Sequence, residues 1–214
     1  KARFAAVSFT ERSTWDLREK LSSKMDLSSH WVMTIHGLCG AILREHPRLE
    51  GLAGWDGEGA ILSEGDAALL WERSTDILWG DELSPDIEEA LNILLERETR
   101  EEILELLGRV RELRGFGALD RFAERTDSDL AALEQISRFV LDRYDRLKLR
   151  RGAMDFHDLE LGADCVLRHP EICKSYHRRF ELVLGDEFQD TNPLQSAILA
   201  RFARSDLSNL CGVG

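Results

Sequence analysis

The chain has 214 residues, enough for one or two domains with a buried core. Hydrophobic residues make up 43% and charged residues 32%, as in a folded globular protein and unlike a disordered one. The net charge of -12 argues against a general nucleic-acid coat protein, which needs a basic surface. No apolar run approaches the roughly 20 residues of a membrane span and no signal peptide opens the chain, so we expect no membrane association.

The cysteines are scattered and form no CxxC pair: Cys39, Cys165, Cys173 and Cys211. This pattern favours free thiols in a reducing compartment over a disulfide framework. We therefore expect a cytoplasmic protein.

Charge is unevenly distributed along the chain. Residues 1–49 sum to +3, residues 50–150 to -12 and residues 151–214 to -3. Because the middle carries the acidic excess, it is a candidate inserted domain.

The first segment predicts two strands, each followed by a helix. Phe4–Phe9 is short, apolar and rich in residues that favour strands, and Ser13 or Thr14 is the expected cap of the next helix. A second strand is predicted at Trp31–Ile35, followed by a helix near Leu38–Glu45.

The middle segment predicts helices almost throughout. Residues 49–57 are rich in glycine and indicate a long loop. Ser84-Pro85-Asp86 is typical of a helix start, and Thr99–Glu102 fits a capping box. Apolar residues from Leu130 to Leu147 keep helical spacing along one long amphipathic helix.

The last segment returns to alternating helices and strands. Phe156–Leu167 is predicted to be a helix, and a second helix begins near Pro170. The apolar run in Phe180–Leu184 is typical of a buried parallel strand. A helix over Pro193–Ala203 and a strand over Asn209–Val213 complete the segment.

This order predicts an α/β fold in which one parallel-sheet domain is split by an all-helical insertion. The predicted boundaries place residues 1–48 and 151–214 in the sheet domain and residues 49–150 in the insertion.

The strongest chemical signal is the acidic turn after Phe180–Leu184. Asp186 and Glu187 fall at the carboxyl end of that strand, where open α/β sheets bind their ligands. Nucleotide hydrolysis needs one carboxylate for Mg²⁺ and another to orient and deprotonate the attacking water. Asp186 fits the first role and Glu187 the second. Two adjacent acids alone would more often end a strand at the surface, but the whole string Asp186–Thr191 (DEFQDT) favours the chemical role.

Asp186–Gln195 (DEFQDTNPLQ) resembles motif II of the UvrD/Rep/RecB group of superfamily-one DNA helicases. Other stretches resemble further motifs in the group's order: Ser8–Arg12 (motif Ia), Thr34–Cys39 (the TIHSFC motif), Met154–Leu159 (the LDFDDL helix) and Leu210–Gly214 (the strand before motif III). The resemblance covers residues 1–48 and 151–214. The middle is similar only in place and helicity to the group's inserted subdomain 1B, and the motif spellings favour the RecB or AddA branch.

The resemblance implies a partial RecA-like motor domain, 1A, interrupted by 1B, with ATP and Mg²⁺ as cofactors and Asp186 holding the metal through ATP. Gln189 would lie near the γ-phosphate and sense its loss. Residues implied to line a groove for single-stranded DNA are Phe9, Thr10, Thr34 and His36. Base stacking there contributes roughly 1–3 kcal/mol per base, while polar groups contact phosphates. The implied partners are single-stranded or duplex DNA and a second helicase–nuclease subunit.

Two departures from the group's pattern concern this edge of the sheet. Gly185 stands where a β-branched residue is usual, which we expect to weaken the strand before Asp186. Ser13, Thr14 and Trp15 replace the usual alanines after motif Ia. Trp15 would either pack on the insertion or crowd the DNA groove.

No GxxxxGK[ST] phosphate-binding loop occurs in the sequence. In this group that loop lies upstream of motif Ia, and the second motor domain with its arginine finger lies downstream. We therefore expect the chain to be an internal fragment that hydrolyses no ATP by itself, because catalysis here depends on placing charge around the phosphates.

Two other functions stay open. A non-catalytic module would use the acidic insertion to bind a protein partner, and it predicts no nucleotide turnover even in the full-length protein. A nuclease using Asp186 and Glu187 directly would cleave DNA without ATP. A basic run ends the insertion and is either a duplex contact or a solvated helix face: Arg143, Arg146, Lys148, Arg150 and Arg151.

Overall fold

The computed structural model describes residues 3–47, 59–80, 82–113 and 127–214. The chain divides into two compact units, one formed by Lys1–Glu58 with Phe156–Gly214 and the other by Gly59–Asp155. The first, which we call the sheet unit, contains a parallel sheet with helices, and the second, the helical unit, is almost entirely helical in its described part. The predicted α/β fold class is confirmed.

The sheet unit begins with two strand–helix pairs: β1 (Phe4–Ser8), α1 (Glu11–Ser22), β2 (Trp31–Thr34) and α2 (Ile35–Glu45). Both helices begin earlier than predicted because threonines cap them. The Thr10 hydroxyl accepts a hydrogen bond from the backbone N–H of Ser13, and the Thr34 hydroxyl accepts one from that of Gly37, each at 3.0 Å. The prediction of Ser13 or Thr14 as the cap was therefore wrong.

The helical unit contains β3 (Ala60–Ile61), α3 (Glu64–Thr75), α4 (Pro85–Leu95), α5 (Arg100–Leu113), α6 (Ser128–Arg150) and β4 (Ala153–Met154). Strands β3 and β4 pair in parallel. Apolar faces of α4, α5 and α6 form a core that includes Ile103, Leu107, Ile136 and Val140. The capping box is confirmed, since the Thr99 hydroxyl and the Glu102 carboxylate each accept the other's backbone N–H.

Lys148 is buried, so the predicted basic run does not present it to solvent. Its Nζ lies 3.0 Å from Asp145 Oδ1 and 3.3 Å from Asp155 Oδ2. The Tyr144 hydroxyl donates to the same Asp155 oxygen at 2.8 Å. Lys148 is therefore a structural cation inside the helical unit, because a buried charge needs paired partners.

The sheet unit continues with α7 (Phe156–Leu167), α8 (Pro170–Arg179), β5 (Leu182–Gly185), α9 (Pro193–Phe202) and β6 (Leu210–Gly212). Strand β5 starts two residues later than predicted because Phe180 ends α8, donating its backbone N–H to Tyr176 O at 3.0 Å.

The sheet has strand order β2-β1-β5-β6, and every pairing is parallel. In β1, Ala5, Ala6 and Val7 are fully buried, as expected for a central parallel strand. Because the strands share one direction, all their carboxyl ends lie at one edge of the sheet. Among the described residues, we find no helix long and apolar enough to cross a membrane.

Candidate functional site

The predicted site residues fall directly after strands of the parallel sheet. Phe9 and Thr10 follow β1, His36 comes two residues after β2, and Asp186 follows β5. The backbone N–H of Asp186 donates to Val7 O at 2.8 Å, which extends the pairing of β5 with β1 by one residue. The structure therefore places the predicted nucleotide and strand-binding residues along the carboxyl edge of one sheet.

Glu187 turns the chain sharply after Asp186. Its backbone has φ 55° and ψ 42°, in the left-handed region, which costs a non-glycine residue roughly 1–2 kcal/mol. A short 3₁₀ turn, Phe188–Asp190, follows. Glu187 is exposed while Asp186 is half-buried, so the two carboxylates occupy different environments despite being adjacent. Such local strain is typical of functional turns held by their surroundings.

Gln189 lies in the same turn as the two acids. Its Nε2 donates a hydrogen bond to Glu187 Oε2. The backbone of Gly214 lies against the Gln189 side chain and leaves no room for a Cβ atom at position 214. The structure thus brings Asp186, Glu187 and Gln189 together in one turn, in which Glu187 and Gln189 are exposed.

Gly185 makes room for the ring of Phe188. It pairs in register with Gly212 of β6, and the Phe188 ring lies on both glycines. A Cβ added at Gly185 would lie 3.0 Å from Phe188 Cδ2, and one at Gly212 would lie 3.2 Å from Phe188 Cγ. The departure from a β-branched residue at position 185 therefore has a packing reason.

Replacing Gly185 with valine is expected to lower the free energy of unfolding by about 1–3 kcal/mol, because the branched side chain would overpack against Phe188. Urea unfolding of the 214-residue chain measures this. The control is Gly108→Ala in α5, where a Cβ meets nothing within 4 Å and helix propensity predicts a gain of about 1 kcal/mol. An unchanged or increased free energy of unfolding in Gly185→Val would contradict the close packing of Phe188 on Gly185.

The predicted strand-binding residues have structural partners as well. The hydroxyls of Thr10 and Thr34 accept the cap hydrogen bonds of α1 and α2, and Phe9 is half-buried. The His36 ring stacks on that of Phe156 with centroids 4.3 Å apart. Trp15 is 62% exposed on α1, so it is not part of the core of the sheet unit.

Glu160 was missed by sequence reasoning. It lies on α7 with 3% of its surface exposed, and His36 Nε2 lies 3.1 Å from its Oε1. Gln195 Nε2 donates to the same oxygen at 2.6 Å, and Asn192 Nδ2 donates to Oε2 at 3.4 Å. The sequence shows only an acid among the apolar residues Leu159, Leu161 and Ala163, which does not reveal its donors. The donors are required because the carboxylate is buried.

The hydrogen bonds keep Glu160 ionised. Burial alone would raise the pKa of this carboxyl, but hydrogen bonds from His36, Gln195 and Asn192, together with the charge of His36, hold its pKa below the usual value. A lowered pKa in the folded state means that the charge stabilises the fold above the unfolded-state pKa of about 4.3. That stabilisation is lost as the pH falls through the folded-state pKa.

Glu160→Gln should therefore reduce the acid sensitivity of folding. Between about pH 6 and about pH 3, we expect the wild-type chain to lose more free energy of unfolding than the variant, because only the wild type must protonate this carboxylate. Urea midpoints at the two pH values measure the difference. Equal acid-induced losses in both chains would contradict the assignment.

The fold and the edge residues define a class: an open parallel α/β domain with its polar residues gathered at the carboxyl edge. Comparison with known families goes further, because the sequence profile of the UvrD/REP helicase N-terminal domain matches residues 1–214. The chain belongs to this family, and the resemblance seen in its motifs is confirmed.

Relatives of the chain carry helicase names. It is 26% identical over 213 residues to a probable DNA helicase II homolog of Rickettsia felis, and 29% identical over 218 residues to the ATP-dependent DNA helicase UvrD1 of Mycobacterium tuberculosis. These alignments cover 98% of this chain but only 29% and 26% of the relatives. A 61-residue stretch is 44% identical to an ATP-dependent helicase/nuclease subunit of Natranaerobius thermophilus, covering 28% of this chain and 5% of that protein. The chain therefore spans less than a third of the length of these relatives. Its assignment to the RecB or AddA branch stays a prediction.

Proposed function

We propose that the parent protein is an ATP-dependent DNA helicase or translocase, and that this chain supplies part of its first motor domain. Residues 1–48 and 151–214 would belong to domain 1A and residues 49–150 to the inserted subdomain 1B. The observation that carries the proposal is the Asp186–Glu187 pair at the carboxyl edge of a parallel sheet, in a chain of the UvrD/REP family.

Asp186 would hold Mg²⁺ bound with ATP, and Glu187 would orient and deprotonate the water that attacks the γ-phosphate. Among the described residues, no group of three or more His, Cys, Asp or Glu side chains is placed to hold a metal ion. One half-buried carboxylate suits Mg²⁺, which commonly takes one or two protein ligands and completes its shell with phosphates and water. Gln189, bonded to Glu187, would sense the γ-phosphate.

Phe9, Thr10, Thr34 and His36 would line the groove for single-stranded DNA. Their positions at or just after the carboxyl ends of β1 and β2, on the same sheet edge as the Asp186 turn, support this role. Phe9 offers a ring for base stacking, and the backbone N–H groups and hydroxyls near Thr10 and Thr34 suit phosphate contacts. We also propose that the parent acts in DNA repair or recombination in the cytoplasm, and that its partner is a second helicase–nuclease subunit. The relative whose name describes a helicase/nuclease subunit supports that partner.

Unwinding of a duplex with a single-stranded tail by the full-length protein tests the proposal. ATP with Mg²⁺ should produce strand separation, whereas a non-hydrolysable ATP analogue should not, because movement requires turnover. A folded full-length protein that neither unwinds nor translocates with ATP would overturn the proposal and favour the non-catalytic module. Cleavage of DNA without ATP would favour the nuclease.

Residues 1–214 alone should show no ATP hydrolysis above background. The sequence contains no GxxxxGK[ST] loop, and the phosphates need its lysine and backbone N–H groups as well as Asp186 and Glu187. Phosphate release by the purified chain, with and without single-stranded DNA, measures this. Turnover that disappears in the Glu187→Gln chain would refute the prediction.

A further inference from the structure

A polar cluster around one buried carboxylate joins the first turn of α2, helix α7 and the start of α9. Its centre is the carboxylate of Glu160. His36 and Gln195 both bond to Oε1, and Asn192 bonds to Oε2. An ionised carboxylate can only accept, so His36 Nε2 carries the proton of its hydrogen bond. One oxygen of the Glu160 carboxylate, Oε1, is thus shared between His36 and the first turn of α9, while the other is bonded by Asn192.

The start of α9 is in turn fixed to the turn that carries the catalytic pair. Asn192 and Gln195 form a reciprocal capping box. The Thr191 hydroxyl donates to Phe188 O at 2.8 Å and lies 2.7 Å from the Ser196 hydroxyl. Hydrogen bonds at each end, joined by the backbone of residues 191–196, therefore connect the 3₁₀ turn with the Glu160 carboxylate and His36.

Such a shared carboxylate couples the movements of its donors. A buried carboxylate that loses one donor leaves charge uncompensated in a region of low dielectric constant. Displacement of His36 would therefore weaken the position of α9, and displacement of α9 would weaken that of His36. If DNA displaces His36 and nucleotide displaces α9, each ligand changes the affinity for the other through the Glu160 carboxylate.

We propose that Glu160 is a positioning residue. It couples the binding of single-stranded DNA at His36 to the turn at Asp186–Asp190, which is proposed to handle ATP. The inference rests on the proposed function, in which His36 lines the strand groove and the turn handles ATP. Glu160 touches neither ligand and acts through His36, Asn192 and Gln195.

Strand-stimulated ATP turnover of the full-length protein tests the coupling, with a single-stranded oligonucleotide as the probe. Glu160→Gln keeps the side-chain length but replaces an acceptor oxygen with an amide NH₂ that faces donors. We expect the concentration of single-stranded DNA that gives half-maximal stimulation of ATP turnover to rise about tenfold, with a smaller change in KM for ATP. Asp164→Asn is the matched control: Asp164 is also a buried carboxylate of α7, but it accepts from Arg168 and from Arg201 in the last turn of α9, at the opposite end of that helix from Asn192 and Gln195. The control should shift the half-saturating concentration by less than about twofold.

A double-mutant cycle separates positioning from general destabilisation. If Glu160 acts through His36, Glu160→Gln should add little to the effect of His36→Ala on strand half-saturation. Additive effects, or equal effects of Glu160→Gln and Asp164→Asn, would overturn the coupling. If Glu160→Gln fails to fold, Gln195→Met removes a single donor to the carboxylate and should shift strand half-saturation in the same direction. No shift in a folded Gln195→Met would overturn the coupling as well.

The two proposals fail in different ways. If single-stranded DNA stimulates ATP turnover equally in the wild type and in Glu160→Gln, the coupling proposal is wrong and the proposed function stands. Absence of strand stimulation in the folded wild type would remove both.

Discussion

Glu187→Gln in the full-length protein is expected to lower strand-stimulated ATP turnover by about 10²–10⁴-fold, the contribution typical of a general base. Glutamine keeps the size of the side chain and an oxygen that can orient water, but it cannot accept the proton as the γ-phosphate is attacked. Because Asp186, the proposed Mg²⁺ ligand, is unchanged in this variant, KM for ATP should change much less than the turnover rate.

The structure offers a matched control for this substitution. Glu181 is an exposed acid just before β5, at the opposite end of the strand from Glu187. Glu181→Gln changes the net charge equally and should leave turnover within about twofold of the wild type. A Glu187→Gln protein that keeps normal turnover would show that Glu187 is not the general base.

Phe202→Ala is expected to lower the free energy of unfolding of the 214-residue chain by about 3–5 kcal/mol. The ring is fully buried, with centroids 5.0 Å from Tyr176, 5.2 Å from Phe180 and 6.1 Å from Trp31. Truncation would leave a cavity among three other aromatic rings, which rigid neighbours cannot fill completely.

Urea unfolding followed by circular dichroism measures the loss. Trp15→Ala is the control, because it removes a larger aromatic side chain from the same unit at a position that is 62% exposed. Its effect should stay within about 0.5 kcal/mol. Similar effects of the two substitutions would contradict the assignment of Phe202 to the core.

Periodicity and turn residues were sufficient to predict the fold class. The apolar run at Phe180–Leu184 and the helical spacing from Leu130 to Leu147 each depend on neighbours in sequence, and the structure has a strand and a helix there. Helix starts were less predictable because several polar residues compete for each cap. Thr10 caps α1 although Ser13 and Thr14 are chemically equivalent candidates.

The candidate site was only partly predictable. Asp186 and Glu187 can be recognised because a strand ends immediately before them. Glu160 cannot, since its donors His36 and Gln195 are 124 and 35 residues away along the chain. Lys148 was predicted to lie in a basic run that either contacts a duplex or faces solvent, although its partners Asp145 and Asp155 are only three and seven residues away. For Glu160, donors that are distant in the sequence compensate the buried charge.

The measurement that tests the proposed motor most directly is the rate of ATP hydrolysis by the full-length protein, with and without single-stranded DNA. The carboxylates at the sheet edge and the proposed DNA-binding residues on the same edge predict a rate that rises steeply when single-stranded DNA is added. A folded, full-length protein that binds the strand but hydrolyses ATP at an unchanged, negligible rate would contradict the assignment of this edge as part of a motor.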